Sequence, residues 1–398
     1  MEIALRPPRE MLSPLLPTRS LRMKVAVLRE TRPDESRVGL VPDGVKFLKK
    51  KEIEVVVEKD AGLQAGFPDA AYEAEGATIA PDAAAAVSGA DIVLKVQPVT
   101  PEEVGVLARG QILVSSLQPT SNLEIVKTLR DAGVTMMAME LMPRITRAQS
   151  MDILSSQATV AGYKAVLLGA NAIGKFLPML TTAAGTVRPA KTLTLGAGVA
   201  GLQVLATFRR LGALMEAFDV RPAVKEQCES LGAKFLEIEM EDMEDEGGYA
   251  KELSEEQHKR EMAMLTEAVK DKDVVITTAQ IPGRKAPILI TREMVEGMKP
   301  GSAIVDLAAE TGGNCELTRA GETVEHNGVK ILGPVNLAAT MPFHASMMFS
   351  RNLVTFVMEM VDKEDKSLKL DWENEVIAGV CVTYQNEVRH APTKEALG

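Results

Sequence analysis

Four polar side chains crowd one short stretch of an otherwise apolar neighbourhood. In MELMPRITRAQSMDILSSQ, Met139–Gln157, Arg144, Arg147, Gln149 and Asp152 fall close together. Guanidinium, carboxamide and carboxylate groups at one bend offer donors and acceptors in fixed directions. None of them readily trades a proton near neutral pH. Such a set suits a polar clamp for something held between two domains. A solvated loop leading into a capped helix would use the same residue types, and this stretch alone leaves both readings open.

A second constellation is more specific. In TLTLGAGVAGLQVLATFRRLGALMEAFDV, Gly196, Gly198 and Gly201 form GxGxxG directly after an apolar run and at the start of a helical pattern. The first glycine permits a tight turn, the second lets backbone approach a pyrophosphate, and the third allows helix and strand to pack closely. The N–H groups that open the helix favour phosphate. The next strand ends in Asp219, placed to accept adenosine ribose hydroxyls and to repel a 2′-phosphate. NAD is therefore expected in preference to NADP. Arg221 either flanks adenine or weakens the rejection of NADP. Two later runs, ITTAQIPG (Ile276–Gly283) and VDLAAETGGNCE (Val305–Glu316), follow strands and supply strand-end loops where ligands of open α/β sheets bind, or else simple turns.

These residues need elements to carry them. The chain has 398 residues, enough for two domains. From Met23, short apolar runs alternate with helical stretches: VAVL, IEVVVE, ATIA, DIVLKV, QILVSS and VTMMAM, with helices between. A second series runs KTLTL, ALMEAFD, KFLEI, DVVITT, SAIVDLA and KILG. This rhythm predicts α/β architecture: two Rossmann-like doubly wound domains with mainly parallel sheets, joined by long crossing helices. The first domain spans 23–150 and is completed by 345–398. The nucleotide-binding domain spans 151–344, with a crossing helix over 153–175. PFHASMMFSRNLVTFVMEMV reads as a long helix, and VIAGVCVTYQNEVRH as a β-hairpin turning at Gln385–Asn386. Residues 1–22 are expected to be a disordered extension, or to precede a true start at Met23. The acidic run from Glu237 to Glu246, followed by Gly247, Gly248 and Tyr249, predicts a solvated insertion or a mobile lid over 237–261.

Bulk properties exclude several classes. A net charge of −10 opposes nucleic acid and offers no polybasic patch for anionic lipid. Cys228, Cys315 and Cys381 have no CxxC spacing, and His258, His326, His344 and His390 make no ligand cluster, so neither a disulfide frame nor a metal site is expected. The most apolar stretch, Ile153–Leu180, is interrupted by Gln157, Lys164, Asn171, Lys175 and Pro178, so no membrane span is expected.

The glycine loop with Asp219, RETRPDESRVGLVPDGV (Arg29–Val45) and LKVQP (Leu94–Pro98) resemble the alanine dehydrogenase/transhydrogenase superfamily. MELMPRITRAQSMDILSSQ, TTAAGTVRPAK (Thr181–Lys191), GGYAKE (Gly247–Glu252) and AETGGNCE (Ala309–Glu316) are similar to the NAD(H)-binding domain I of proton-translocating transhydrogenases. The resemblance implies hydride transfer between NADH on this chain and NADP on domain III of a beta subunit, with membrane domain II subunits coupling it to proton movement. It implies a homodimer on the cytoplasmic side of the inner membrane, attached through those partners. It also implies that Arg144 bonds the carboxamide, Gln149 bridges the nicotinamide ribose towards the incoming NADP, and Asp152 holds the ring and loop. Ser155 and Ser156 would lie beside the ring. Val199 and Ala200 would back the pyrophosphate turn, with Asp219, Val220 and Arg221 at the adenosine end. Gly248 and Tyr249 would close over the nucleotide, and Gln280 would lie on a strand-end loop near it.

Alanine dehydrogenase is the main alternative. Arg37 and Lys95 match that family's substrate-binding cations, but Gln118, in SSLQPTSN, falls where its histidine belongs. An amide cannot accept a proton at neutral pH, and no histidine lies between Met23 and Ala138. A non-catalytic NAD-sensing module is the other alternative.

Overall fold

The computed structural model describes residues 23–237, 255–281 and 284–398. The expected tail 1–22, Gly248 and Tyr249 lie outside them. Among the described residues, the first strands are β1 Lys24–Val27, β2 Glu54–Glu58, β3 Thr78–Ala80, β4 Ile92–Leu94, β5 Ile112–Ser115 and β6 Thr135–Ala138. A hairpin follows, β7 Leu180–Thr182 with β8 Gly185–Val187. Then come β9 Lys191–Leu195, β10 Leu214–Phe218, β11 Lys234–Phe235, β12 Val274–Thr277, β13 Ala303–Asp306, β14 Thr323–His326 and β15 Val329–Leu332. Last are β16 Cys381–Tyr384 and β17 Glu387–Val388.

The first sheet runs β17-β16-β6-β5-β4-β1-β2-β3 and the second β11-β10-β9-β12-β13-β15-β14. β1 to β6 are mutually parallel, and so are β9 to β13 and β15. The apolar runs explain this. In β1, Val25 and Val27 enter one core layer while Ala26 enters the opposite one. In the second sheet, Val274 and Ile276 face one layer and Val275 the other. Strands apolar on both faces must be covered twice, and helices do the covering. Each sheet reverses its strand order beside its first strand, β1 or β9, and such reversals open a crevice at the strands' carboxyl ends.

Three sequence expectations need correction. Val376–Val380, the start of the run expected to form a hairpin, belong to the helix Glu375–Val380. Only β16 and β17 pair, with Gln385 and Asn386 turning at φ 50° and 65°. Among the described residues of the run KFLEI, two are strand, Lys234 and Phe235. The segment 237–261 is not wholly a loop, because Glu255–Val269 is helical. The antiparallel edge strand β14 has no counterpart in the expected series.

The crossing helix, Ile153–Ala172, leaves the first layer and packs along the helix Val199–Leu211. The helix Pro342–Glu359 returns the chain to the first sheet, with Phe349, Leu353 and Phe356 buried in its core. Among the described residues no helix is long and apolar enough to cross a membrane.

Candidate active site between the two sheets

The glycine loop leaves β9 and opens the helix Val199–Leu211. Gly196 sits at φ 93°, and a Cβ on Gly201 would lie 1.9 Å from the Gly196 carbonyl oxygen. Both positions therefore demand glycine. A Cβ on Gly198 would meet no atom within 4 Å. Packing within the chain does not explain that glycine, but a phosphate lying against the backbone would. The helix has no side-chain cap at Gly198, so its first-turn N–H groups remain for a ligand. Val199 is 44% exposed at the same end, and Ala200 follows it in the first turn. These features fit a dinucleotide pyrophosphate.

Asp219 follows β10 and is nearly buried. Its Oδ2 accepts the Ala197 N–H at 2.7 Å, tying it to the glycine loop. Arg221 grips the same carboxylate with two donors, Nε to Oδ1 at 2.9 Å and Nη2 to Oδ2 at 2.9 Å. The sequence suggests a bare acceptor for ribose hydroxyls. The folded chain instead presents a carboxylate partly neutralised by its neighbour. Val220, between them, packs on the second core.

The strand-end loops after β12 and β13 are tied together. Thr278 Oγ1 donates to the Gly196 carbonyl at 3.0 Å. Gln280 Nε2 donates to the Leu307 carbonyl at 2.8 Å, so its amide bridges the loops. Asn314 accepts from Ala279 N–H at 3.1 Å and donates to the Ala279 and Pro287 carbonyls. Asp306, fully buried, accepts from Thr277, Ala308, Asn314, Cys315 and Thr318. Sequence reasoning singles out neither Asp306 nor Asn314. The available signal is a carboxylate ending an apolar strand.

The clamp residues lie at the start of the crossing helix. Asp152 is its N-cap, with Oδ1 accepting Ser155 N–H at 3.0 Å and Oδ2 accepting Ser155 Oγ–H at 2.6 Å. Ser156 Oγ donates to the Ile153 carbonyl. Arg144 and Gln149 are exposed, Gln149 within a 3₁₀ turn over Thr146–Met151. Buried Ala148 and Met151 anchor that turn in the first core, and Asn352 Nδ2 donates to the Ser150 carbonyl at 2.8 Å. Arg147 points elsewhere, to Asn374 and to Glu359 at 3.6 Å. Further along the helix, a Cβ on Gly162 would stand 2.4 Å from the Ala200 carbonyl oxygen. At 1.5 Å rise per residue, the clamp is roughly 15 Å along the axis from that contact. The helix Ile153–Ala172 thus runs from the glycine-loop turn to the expected clamp residues.

Arg37 and Lys95 are buried and already paired with carboxylates of this chain, Arg37 with Glu35 at 2.6 Å and Lys95 with Glu103 at 2.6 Å. Gln118 takes φ 45° beyond β5, and its N–H donates to Glu140. The returning segment brings His390 only beyond the edge strand β17, with Nδ1 2.7 Å from Thr393 Oγ1.

The chain as a whole is similar to known proteins. The family described as alanine dehydrogenase/PNT, N-terminal domain, matches residues 26–161, and its C-terminal domain matches 165–391. The chain is 50% identical over 377 residues to the first portion of NAD(P) transhydrogenase subunit alpha of Rhodospirillum rubrum, covering 92% of this chain and 98% of that protein. A solved transhydrogenase structure from Sinorhizobium meliloti matches with TM-score 0.84 at 45% identity, covering 92% of this chain and 99% of that one. A solved L-alanine dehydrogenase matches with TM-score 0.80 at 26% identity, covering 94% and 99%.

Proposed function

The chain belongs to the alanine dehydrogenase/transhydrogenase family, as an oxidoreductase of its NAD(P) transhydrogenase branch, and on that premise we propose that it is the NAD(H)-binding component of a proton-translocating transhydrogenase. Bound NADH supplies a hydride that passes directly to NADP carried by domain III of a beta subunit. Membrane domain II subunits couple that transfer to proton movement and hold this chain at the cytoplasmic face of the inner membrane.

The observation that carries this reading is the pairing of a phosphate-ready glycine loop with a clamp of non-titrating donors, joined by one helix. Hydride transfer between two nicotinamides needs near-attack geometry and exclusion of water rather than a proton acceptor. Gly196, Gly198, Val199, Ala200 and Gly201 hold the pyrophosphate. Asp219, Val220 and Arg221 hold the adenosine end. Arg144 orients the carboxamide, Gln149 reaches the nicotinamide ribose, and Asp152 with Ser155 fixes the loop, beside Ser156. Gln280 borders the site. A homodimer is included in the proposal. In its favour, Phe176, Met179 and Val187, on and beside the β7–β8 hairpin, are 58%, 63% and 41% exposed, an apolar surface that a second copy would cover.

The purified chain mixed with an NADP-bearing domain III should reduce an NAD analogue at the expense of NADPH. No transfer would sink the proposal, and alanine-dependent NADH formation by the chain alone would favour amino-acid oxidation. In the same assay Arg144→Ala and Gln149→Asn should slow transfer by about tenfold or more while NADH affinity changes by less than about threefold. Equal losses of rate and affinity would contradict a positioning role.

A further inference from the structure

A set of buried charges on the first-sheet side of the cleft has no role in the nucleotide site. β1 and β4 are neighbours, so the loops that follow them start side by side. Those loops bring together Glu30, Glu35, Arg37, Lys95 and Gln97. Lys95 Nζ lies 2.6 Å from Glu103 Oε1 and 3.7 Å from Glu30 Oε2. Glu30 accepts the Val96 N–H at 2.6 Å. Gln97 Nε2 donates to Glu35 Oε2 at 2.8 Å. Arg37 then forks onto Glu35, Nε to Oε1 at 2.8 Å and Nη2 to Oε2 at 2.6 Å. Glu35 and Lys95 are each only 1% exposed and Arg37 is 6% exposed. Taking so many charges out of water is costly, and apolar residues of similar volume would often serve stability as well. Their retention calls for a role other than stability.

That role is visible at the outer end of the network, where it leaves the first sheet. Arg37 Nη1 donates to Gln157 Oε1 at 2.8 Å, on the crossing helix. Arg37 Nη2 donates to Asn336 Oδ1 at 3.0 Å, just after β15 in the second sheet. Asn336 returns two bonds, from Nδ2 to the Asp34 carbonyl at 2.8 Å and to Glu35 Oε2 at 3.1 Å. Its own N–H donates to Glu310 Oε1 at 2.7 Å, on the loop beyond β13. Asn336 sits at φ 43° and ψ 44°, a left-handed conformation that asparagine tolerates better than most residues. Donor and acceptor of one amide are thus both spent on the Asp34–Arg37 turn of the opposite domain.

We propose that Glu35, Arg37 and Asn336 form a latch between the two sheets and act as positioning residues for hydride transfer. The proposal rests on the function proposed above. The phosphate loop rides on the second sheet, whereas the clamp turn is anchored in the first core. The nicotinamide is therefore placed by two bodies, and its position depends on their separation. The fork onto Glu35 fixes the direction of the Arg37 guanidinium within its own turn, and the bonds between Arg37, Glu35 and Asn336 carry that direction across to the second sheet. Affinity for NADH comes largely from the second sheet's loop and changes little when the separation drifts. The transfer rate is far more sensitive, because an error of about 1 Å in a reacting pair can cost roughly 100-fold.

Asn336→Gly is the decisive variant: it keeps the left-handed backbone, removes the amide, and leaves Arg37 and Glu35 paired with each other. NADH affinity should stay within about threefold of the parent, while transfer from NADPH on a domain III should fall roughly ten- to hundredfold. Arg37→Lys, which keeps the charge but loses the fork, should show the same fall in rate. Cys228, Cys315 and Cys381 are buried, so spin labels on Lys127→Cys and Glu325→Cys report the separation of the sheets selectively. The distance distribution between those labels should broaden when Asn336→Gly is added. An unchanged rate and distribution would overturn the latch, as would affinity falling in step with rate. Absence of transfer by the parent chain would instead overturn the proposed function, and the spin-label distances would still test the latch.

Discussion

Asp219 is asked to receive ribose hydroxyls while Arg221 already holds both of its oxygens. A carboxylate held by a guanidinium repels a 2′-phosphate less than a bare one, so the proposed choice of NAD over NADP would rest on the pair. Arg221→Ala should sharpen the preference for NADH over NADPH, and Asp219→Ala should weaken NADH binding and blunt the preference, each by about tenfold. Fluorescence titration with both nucleotides decides this, and selectivity unmoved in both variants would remove the ribose assignment. Glu30 makes a different prediction. Burial pushes its carboxyl from the ordinary 4.5 up to about 7, against the pull of Lys95 and with Glu35 and Glu103 adding repulsion. The folded chain therefore keeps a proton that the unfolded chain has released. Stability falls as pH rises from 4.5 to about 7, by ~3 kcal/mol from this group, and levels off above. Burial raises Glu58, Glu140 and Glu261 in the same direction, while burial lowers His390 and opposes them, so the share of Glu30 is read from the variant and not from the total slope. Glu30→Gln should make urea-unfolding stability visibly less pH-dependent across that window, and an identical slope would show that Glu30 does not titrate there.

At the scale of elements, the crossing helix joins the two ends of the proposed site, and Asp152 caps its first turn. The carboxylate accepts from Ser155 twice. Asp152→Ala removes the cap and should cost ~1 kcal/mol, lowering the melting temperature by about 2–4 °C. Asp152→Asn keeps an acceptor and should melt close to the parent in calorimetry; a melt as low as that of the alanine variant would mean that the charge, not the hydrogen bond, supports the turn. Elements of this kind are legible in the sequence where local chemistry is decisive. GxGxxG and its following carboxylate announce β9, its helix and β10, because glycine is demanded at Gly196 and Gly201. Apolar runs announce buried parallel strands. The run from Val376 to Val380 is ambiguous because a short helix with a buried face and a buried strand carry the same apolar residues, and five positions give no periodicity to separate them. Arg37 stands out in the sequence, but its partner Asn336 lies 299 residues away, and no local pattern encodes that meeting.

Across the whole molecule, two sheets share one chain that passes from the first to the second and back. The return is completed by β16, which lies antiparallel against β6, with Thr383 Oγ1 donating to the Val134 carbonyl from 249 residues away. The first sheet therefore holds its cleft-facing residues on a framework closed by the last strands of the chain. Preventing that closure, by replacing Val382 with Asp, should raise hydrogen exchange across Thr135–Ala138 while β9, β12 and β13 stay protected, because Val382 is buried in the first-sheet layer alone. Exchange rising equally in both sheets would show instead that they unfold as one unit. The same topology bears on how the protein is made. A ribosome synthesises β6 long before β16, and the second sheet can form in the interval. Until Cys381–Tyr384 emerge, β6 presents an unpaired strand edge to the cell. Nascent chains stalled between β15 and β16 are thus the stage at which this protein most needs a chaperone, and there the risk is mispairing between chains on one messenger rather than failure of the nucleotide fold.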